Sequence, residues 1–142
     1  MRLTGRDGGG FRLTGAGAPV EGTLESGALV IVSGERSFRF ETEASGGCAV
    51  GGAIVISWPQ DDPAAASSVL LEDGRLFRVA ARGLSQPEVD VRRWDGIGPY
   101  LVARPEAGAW SMQPTAAGEA MAGFEEIVIA ACFEIGRRDG WW

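Results

Sequence analysis

Short apolar segments separated by turn residues recur along most of this 142-residue sequence. Ser68–Glu72 and Arg75–Ala80 form the clearest hairpin, because Asp73-Gly74 between them is a favoured two-residue turn. The predicted strands are Val20–Leu24, Leu29–Ser33, Arg36–Thr42, Ala53–Trp58, Ser68–Glu72, Arg75–Ala80, Val89–Trp94, Tyr100–Ala103 and Ala109–Met112. We therefore expect a mainly β (α+β) fold: an antiparallel barrel, roll or sandwich of about eight to ten short strands covered by one C-terminal helix.

The length and the composition, with 45% apolar and 23% charged residues, indicate a single globular domain over residues 1–142. The predicted segments are a Gly-rich N-terminal hairpin or arm at 1–19, an antiparallel β meander at 20–113, a helix at 116–136 and a Trp-ended tail at 137–142. In the first segment RLTG occurs twice, at Arg2–Gly5 and Arg12–Gly15. Glycines on both sides of Cys48 predict a tight or bulged connection there.

The longest apolar run, Glu119–Gly136, is the candidate helix. One helical face would carry the apolar residues Met121, Phe124, Ile127, Val128, Ala131 and Ile135. Ile129 and Phe133 fall outside that stripe and would form a second, outward apolar patch. Gly136 is placed to end the helix, and Arg137 and Arg138 suit its negative end. A buried strand over Ile127–Glu134 is the alternative, since β-branched residues favour strands.

The residue types that are missing argue against catalysis. The chain has no His, Lys or Asn, and all 13 basic residues are Arg, as in proteins from GC-rich bacterial genomes. Without His and Lys it lacks the commonest general base, metal ligand and Schiff-base nucleophile. The carboxylate pairs Asp61-Asp62 and Glu125-Glu126 are interpreted as a solvated loop and a helix surface. We predict no enzyme, no catalytic residue, no metal and no cofactor.

The net charge limits the classes of partner that the protein could bind, and the cysteine content bears on its cellular compartment. The net charge of −6 disfavours general nucleic-acid binding and anionic membranes. There is no apolar run long enough to span a membrane and no visible secretory signal, so we expect a cytoplasmic protein. Cys48 and Cys132 are predicted to be buried free thiols, with a single bridge between them as the alternative for an exported protein.

One short segment carries a family resemblance. Glu43-Ala44-Ser45-Gly46-Gly47-Cys48 resembles the D-x-S-x-x-G-type segment of PilZ domains, and Arg2-Leu3-Thr4-Gly5-Arg6 has their R-x-x-x-R spacing. The resemblance implies a small β-barrel with a C-terminal helix that binds cyclic di-GMP. On that hypothesis the ligand site would contain Arg2, Arg6, Ser45 and Gly46, and the module would bind cyclic di-GMP or another small anion.

The leading hypothesis is association with other protein chains. Trp141 and Trp142 end the sequence and should either dock on their own domain or bind a partner, where Trp is favoured. Together with Ile129 and Phe133 they form the predicted interface of a homo-oligomer or of a complex with another protein. A small-substrate enzyme lacking His and Lys is the third hypothesis.

Overall fold

The computed structural model of the chain describes residues 1–15, 17, 19–42, 47–61, 65–82 and 87–142. Within them lie twelve strands: β1 Arg2–Gly5, β2 Phe11–Thr14, β3 Val20–Glu25, β4 Ala28–Ser33, β5 Arg36–Thr42, β6 Cys48–Gly51, β7 Ile54–Ser57, β8 Ser67–Leu71, β9 Leu76–Arg82, β10 Glu88–Arg93, β11 Leu101–Glu106 and β12 Ala109–Pro114. Two helices follow, α1 Ala116–Ala120 and α2 Phe124–Asp139.

The strands form one closed antiparallel barrel in which each strand pairs with its neighbours in the chain. β1 pairs with β12 and closes the ring, with Leu3 opposite Trp110. The predicted mainly β fold and antiparallel barrel are confirmed. The expected strand number was too low because the repeated RLTG segments form a true hairpin, β1–β2, and because β6 lies where a connection was predicted.

The C-terminal helix lies inside the barrel. All residues from Ile127 to Gly136 are buried, and α2 contacts β2, β7, β8 and β10, of which β2 and β8 stand on opposite sides of the ring. Twelve tilted strands enclose a cylinder roughly 24 Å across between backbones. A helix with side chains is about 10–12 Å wide, which leaves about 6 Å on each side for inward side chains. The helix therefore fills a space that the strands' own side chains cannot.

The helical segment departs from the single predicted helix at 116–136. Thr115 caps α1 by accepting a hydrogen bond from the Gly118 amide at 3.1 Å, and α2 then starts after Gly123. The helix passes through Gly136 and ends at Asp139, where Gly140 adopts a left-handed φ of 72°. The alternative of a buried strand over Ile127–Glu134 is wrong. Among the described residues, no helix combines the length and apolarity needed to cross a membrane.

Two ends of the barrel are distinguished by the helix. The upper end is where α2 begins, beside the turns at Gly34-Glu35 and Asp73-Gly74. The lower end is where α2 finishes, and there the turns at Ser26-Gly27 and Ala107-Gly108 join neighbouring strands.

Candidate functional site

Ile129 and Phe133 do not form an outward patch. Both side chains have 0% exposure, since every face of α2 meets the barrel wall. The helical wheel misassigned them because it presumes a helix with one face toward water, whereas a helix apolar on all sides is an interior helix. They cannot contact a second chain while the barrel is closed.

The terminal tryptophans dock on their own chain at the lower end. The Trp142 ring lies 4.4 Å from the Phe133 ring between centroids, and Phe133 also contacts Phe40 and Trp58. The Trp141 amide donates to the Gly136 carbonyl at 2.9 Å, and its own carbonyl accepts from the Gly10 amide at 2.8 Å. Both side chains are half-buried. The tail therefore closes the lower end and leaves little indole surface for a partner.

A buried charge cluster joins the C-terminal end of α2 to the barrel wall. Glu134 has 0% exposure and accepts two hydrogen bonds from Arg137, each at 2.9 Å, and one from the Ser67 hydroxyl. Arg138 lies 3.7 Å from the same carboxylate, and burial is the main cause that lowers the pKa of its guanidinium. The Arg137 guanidinium stacks on Trp58, 4.7 Å from the ring centre. The two guanidiniums share this one carboxylate, and Arg138 also donates to the Ala65 and Val79 carbonyls, which indicates a structural role.

The two described residues of the cyclic di-GMP hypothesis, Arg2 and Arg6, do not converge. Ser45 and Gly46 lie outside the described residues. Arg6 lies 3.5 Å from Glu21, and the same carboxylate accepts from Arg12 at 2.8 Å. Arg2 is exposed and opens β1 at the upper end, at the opposite end of that strand from Arg6. Arg2 and Arg6 are thus separated, and Arg6 is partly neutralised by Glu21. Cyclic di-GMP binding stays a prediction.

The structure also places the two cysteines and the carboxylate pair Glu125-Glu126. Cys48 is half-buried and Cys132 buried, and both are free thiols as predicted. Burial raises the pKa of the Cys132 thiol. Glu125 and Glu126 lie at the surface of the first turn of α2, with side chains 39% and 16% exposed, and Arg36 binds one oxygen of each at 2.7 Å.

In the described ranges, no group of three His, Cys, Asp or Glu side chains could hold a metal ion. Of the carboxylate pair in the 60–66 loop, Asp61 is exposed and Asp62 lies outside the described residues.

The feature that sequence reasoning missed is a row of apolar side chains on the outside of the barrel. Strand register places Val50 opposite Val55, Val55 opposite Leu70, and Leu70 opposite Leu76. The Trp94 amide donates to the Leu76 carbonyl at 3.0 Å, which extends the row by one strand. We call these five residues the apolar stripe.

The apolar stripe is open to solvent along its whole length. Val50 is 52%, Leu70 41%, Leu76 37% and Trp94 57% exposed, and Val55 is half-buried. Five strands at about 4.8 Å spacing make the stripe roughly 19 Å long. Large side chains exposed singly are normal, but a contiguous row marks a site of interaction.

Charged residues of opposite sign stand near the two ends of the stripe, each in an ion pair within the chain. Glu41 is directly opposite Val50 on β5; its side chain is 78% exposed, and its nearest basic partner, Arg39, is 3.8 Å away. Arg93 precedes Trp94 at the other end, but it stands opposite the buried Phe77, so its side chain leaves the strand at the upper rim and not in the row; it is 51% exposed and 3.1 Å from Asp95. Beside Trp94, a groove of about 750 Å³ continues the stripe toward the upper end and is lined by Leu76, Tyr100 and Met121 among others.

No family model, curated protein or solved structure matches this chain. Function is therefore argued from the geometry of its own residues.

Proposed function

We propose that this protein is a non-enzymatic β-barrel that acts by association, as a homodimer joined through the apolar stripe. The single observation that carries the proposal is the continuity of the stripe across four neighbouring strands, β6 to β9, and the turn residue Trp94 that follows β10. Burial of such a row in an interface stabilises the complex by roughly 25 cal/mol for each Å² of apolar surface removed from water.

The closed barrel determines how a partner can bind. Since β1 pairs with β12, the ring has no open edge to which a further strand could be added. Association by strand addition is therefore excluded, and we propose that association uses outward side chains. Among the described residues the stripe is the place where such apolar side chains are neighbours in consecutive strands. Val32, by contrast, is 45% exposed but stands between Glu21 and Ser37 in its row.

The charges at the two ends make the stripe complementary to itself. A two-fold axis near its centre, between Val55 and Leu70, would bring the Val50 end of one copy against the Trp94 end of the other. Glu41 of each copy then approaches the end of its partner that carries Arg93, whose side chain would turn from the upper rim toward the row to form an attractive pair. A second copy of the chain is thus the occupant that the charges favour.

The size of the stripe suits the centre of such an interface. A stable interface buries about 800 Å² on each partner, with an apolar core and a polar rim. A row roughly 19 Å long can supply that core, and the polar residues around it would supply the rim. The two free thiols, Cys48 and Cys132, agree with a reducing compartment, and we propose a cytoplasmic location.

Light scattering over a concentration series tests this proposal. The wild type is expected to have the mass of two chains, and Leu70→Glu the mass of one, because a charge at the centre of an apolar interface is left without a partner. Val32→Glu is the matched control, an exposed aliphatic residue outside the stripe, and should remain dimeric. A monomeric wild type at every concentration, or a Leu70→Glu variant that stays dimeric, would overturn the proposal.

A further inference from the structure

A second concave site lies on the other side of the barrel from the stripe. It is a cleft of about 530 Å³ at the upper end, between the first turns of α2 and the ends of β2, β3, β4 and β12. Its apolar lining comes from Met1, Val20, Pro114, Phe124, Val128 and Ile129. Volumes of 300–1,000 Å³ with an apolar lining and a few polar groups are typical of small-molecule sites, and the mouth of a β-barrel is a common place for them.

The polar groups of the cleft are Ser33 and Glu125. The Ser33 hydroxyl donates to Glu125 Oε1 at 2.7 Å, and Arg36 Nη1 donates to Glu125 Oε2, also at 2.7 Å. Each carboxylate oxygen can accept more than one hydrogen bond, so Glu125 retains acceptor capacity toward the cleft. The two contacts fix the carboxylate in place beside the apolar lining.

Two carboxylates and one guanidinium meet at the helix side of this rim. Arg36 also binds Glu126 at 2.7 Å, so one guanidinium is shared between two carboxylates. On the other wall, the amino group of Met1 is engaged with the Met112 carbonyl at 2.9 Å. The Met1 ammonium balances the remaining negative charge of the cleft as a whole, but it lies on the opposite wall, and a ligand head group beside Glu125 meets carboxylate oxygens that accept hydrogen bonds.

We propose that this cleft binds a small apolar amine, with its hydrocarbon part against Val20, Phe124 and Val128 and its ammonium group on Glu125. The apolar part gains roughly 25 cal/mol for each Å² that it removes from water. The ammonium group supplies donors that the carboxylate can accept, in a charge-assisted hydrogen bond. A carboxylate head in the same place would face Glu125 and Glu126 and would be repelled. This site is separate from the stripe, and the inference does not depend on dimer formation.

The test uses the whole chain and the fluorescent apolar probe N-phenyl-1-naphthylamine, displaced in turn by octylamine, octanol and octanoate. We expect octylamine to displace the probe at a concentration at least about tenfold lower than octanoate, a difference of about 1.4 kcal/mol. Octanol should fall between them. Equal displacement by octylamine and octanoate would overturn the proposed head group, and a probe that does not bind would overturn the site.

Two variants test whether the probe and the amine bind in this cleft. Val128→Trp fills the cleft from the helix and should abolish probe binding; if it does not fold, Val20→Phe fills the cleft from the wall instead. Glu125→Gln should lose the preference for octylamine over octanol while octanol binding stays within about twofold. Glu35→Gln, at an exposed turn residue of the same end, is the matched control and should keep the preference. Unchanged probe binding in the filled variant, or an unchanged amine preference in Glu125→Gln, would contradict the proposal.

Discussion

The contact between Trp142 and α2 can be tested by the effect of Gly136→Ala on stability. That effect should change sign when Trp142 is removed. A Cβ atom added at Gly136 would lie 3.0 Å from Trp142 Nε1 and 3.2 Å from its Cδ1, closer than normal contact. In an ordinary helix interior, replacing Gly by Ala stabilises by about 1 kcal/mol, because Ala loses less backbone entropy on folding. At Gly136 the indole must move away from Phe133 to make room, which cancels that gain.

The magnitudes follow from the packing of Trp142. A fully buried Trp→Ala change costs about 3–5 kcal/mol, and Trp142 is half-buried, so Trp142→Ala should cost about 2 kcal/mol. Its contact with Phe133 at 4.4 Å is included in that cost. Once the indole is removed, Gly136→Ala should stabilise by up to about 1 kcal/mol. At about 4 °C for each kcal/mol, these are shifts of about −8 °C and +4 °C in Tm.

Thermal unfolding followed by circular dichroism on the four proteins of the cycle gives the coupling energy. We expect Gly136→Ala to be neutral or destabilising in the wild type and stabilising in the Trp142→Ala background, with a coupling of about 1 kcal/mol or more. Trp94→Ala, measured at low concentration, is the control for removing an exposed indole and should change stability by less than about 0.5 kcal/mol. If Gly136→Ala stabilises both backgrounds equally, Trp142 does not sit on the helix.

Two further predictions concern buried groups of α2. Glu134→Gln removes the carboxylate that pairs with Arg137 and Arg138, whose side chains are 16% and 14% exposed. Urea unfolding should therefore show a loss of stability of about 3 kcal/mol. The exposed control Glu35→Gln should show almost no loss, and equal losses in the two variants would contradict a buried ion cluster. Burial raises the pKa of Cys132 in the folded state, so the unfolded chain ionises first, near pH 8.5. Stability should therefore fall above that pH by up to about 1.4 kcal/mol per pH unit, and Cys132→Ala should reduce the slope; an unchanged slope would refute it.

The strands were largely predictable because their residues alternate. Phe38 and Phe40 face the interior while Arg39 and Glu41 face water, and such alternation is a local property of the chain. The strand β6 was missed since the residues around Cys48 are mostly glycine or alanine and alternate weakly. Its assignment depends on pairing with β5 and β7, which are only brought together by the fold.

The position of the helix was not predictable from its own pattern. The wheel separated Ile129 and Phe133 from the other apolar residues correctly in angle, but it could not say that a wall would cover both sides. That wall exists because twelve strands close into a ring wide enough for a helix. The two apolar faces were the available indication of an interior helix.

The apolar stripe was hidden for a related reason. Ile54-Val55-Ile56 and Val69-Leu70-Leu71 are continuous apolar runs, and such runs predict strands buried on both faces. In a closed barrel one face of every strand points outward, so Val55 and Leu70 reach the surface. Their alignment into a row is set by register, which a single strand does not contain.

Charge reversal across the proposed two-fold axis tests the central claim most directly. Sedimentation velocity would compare the wild type with Glu41→Arg, Arg93→Glu and the double variant. Each single change places like charges together twice in the dimer and should weaken association by at least about tenfold, or about 1.4 kcal/mol. The double variant restores both attractions and should sediment as the wild-type dimer does. Single variants that keep the wild-type sedimentation coefficient, or a double variant that remains monomeric, would contradict association through the apolar stripe.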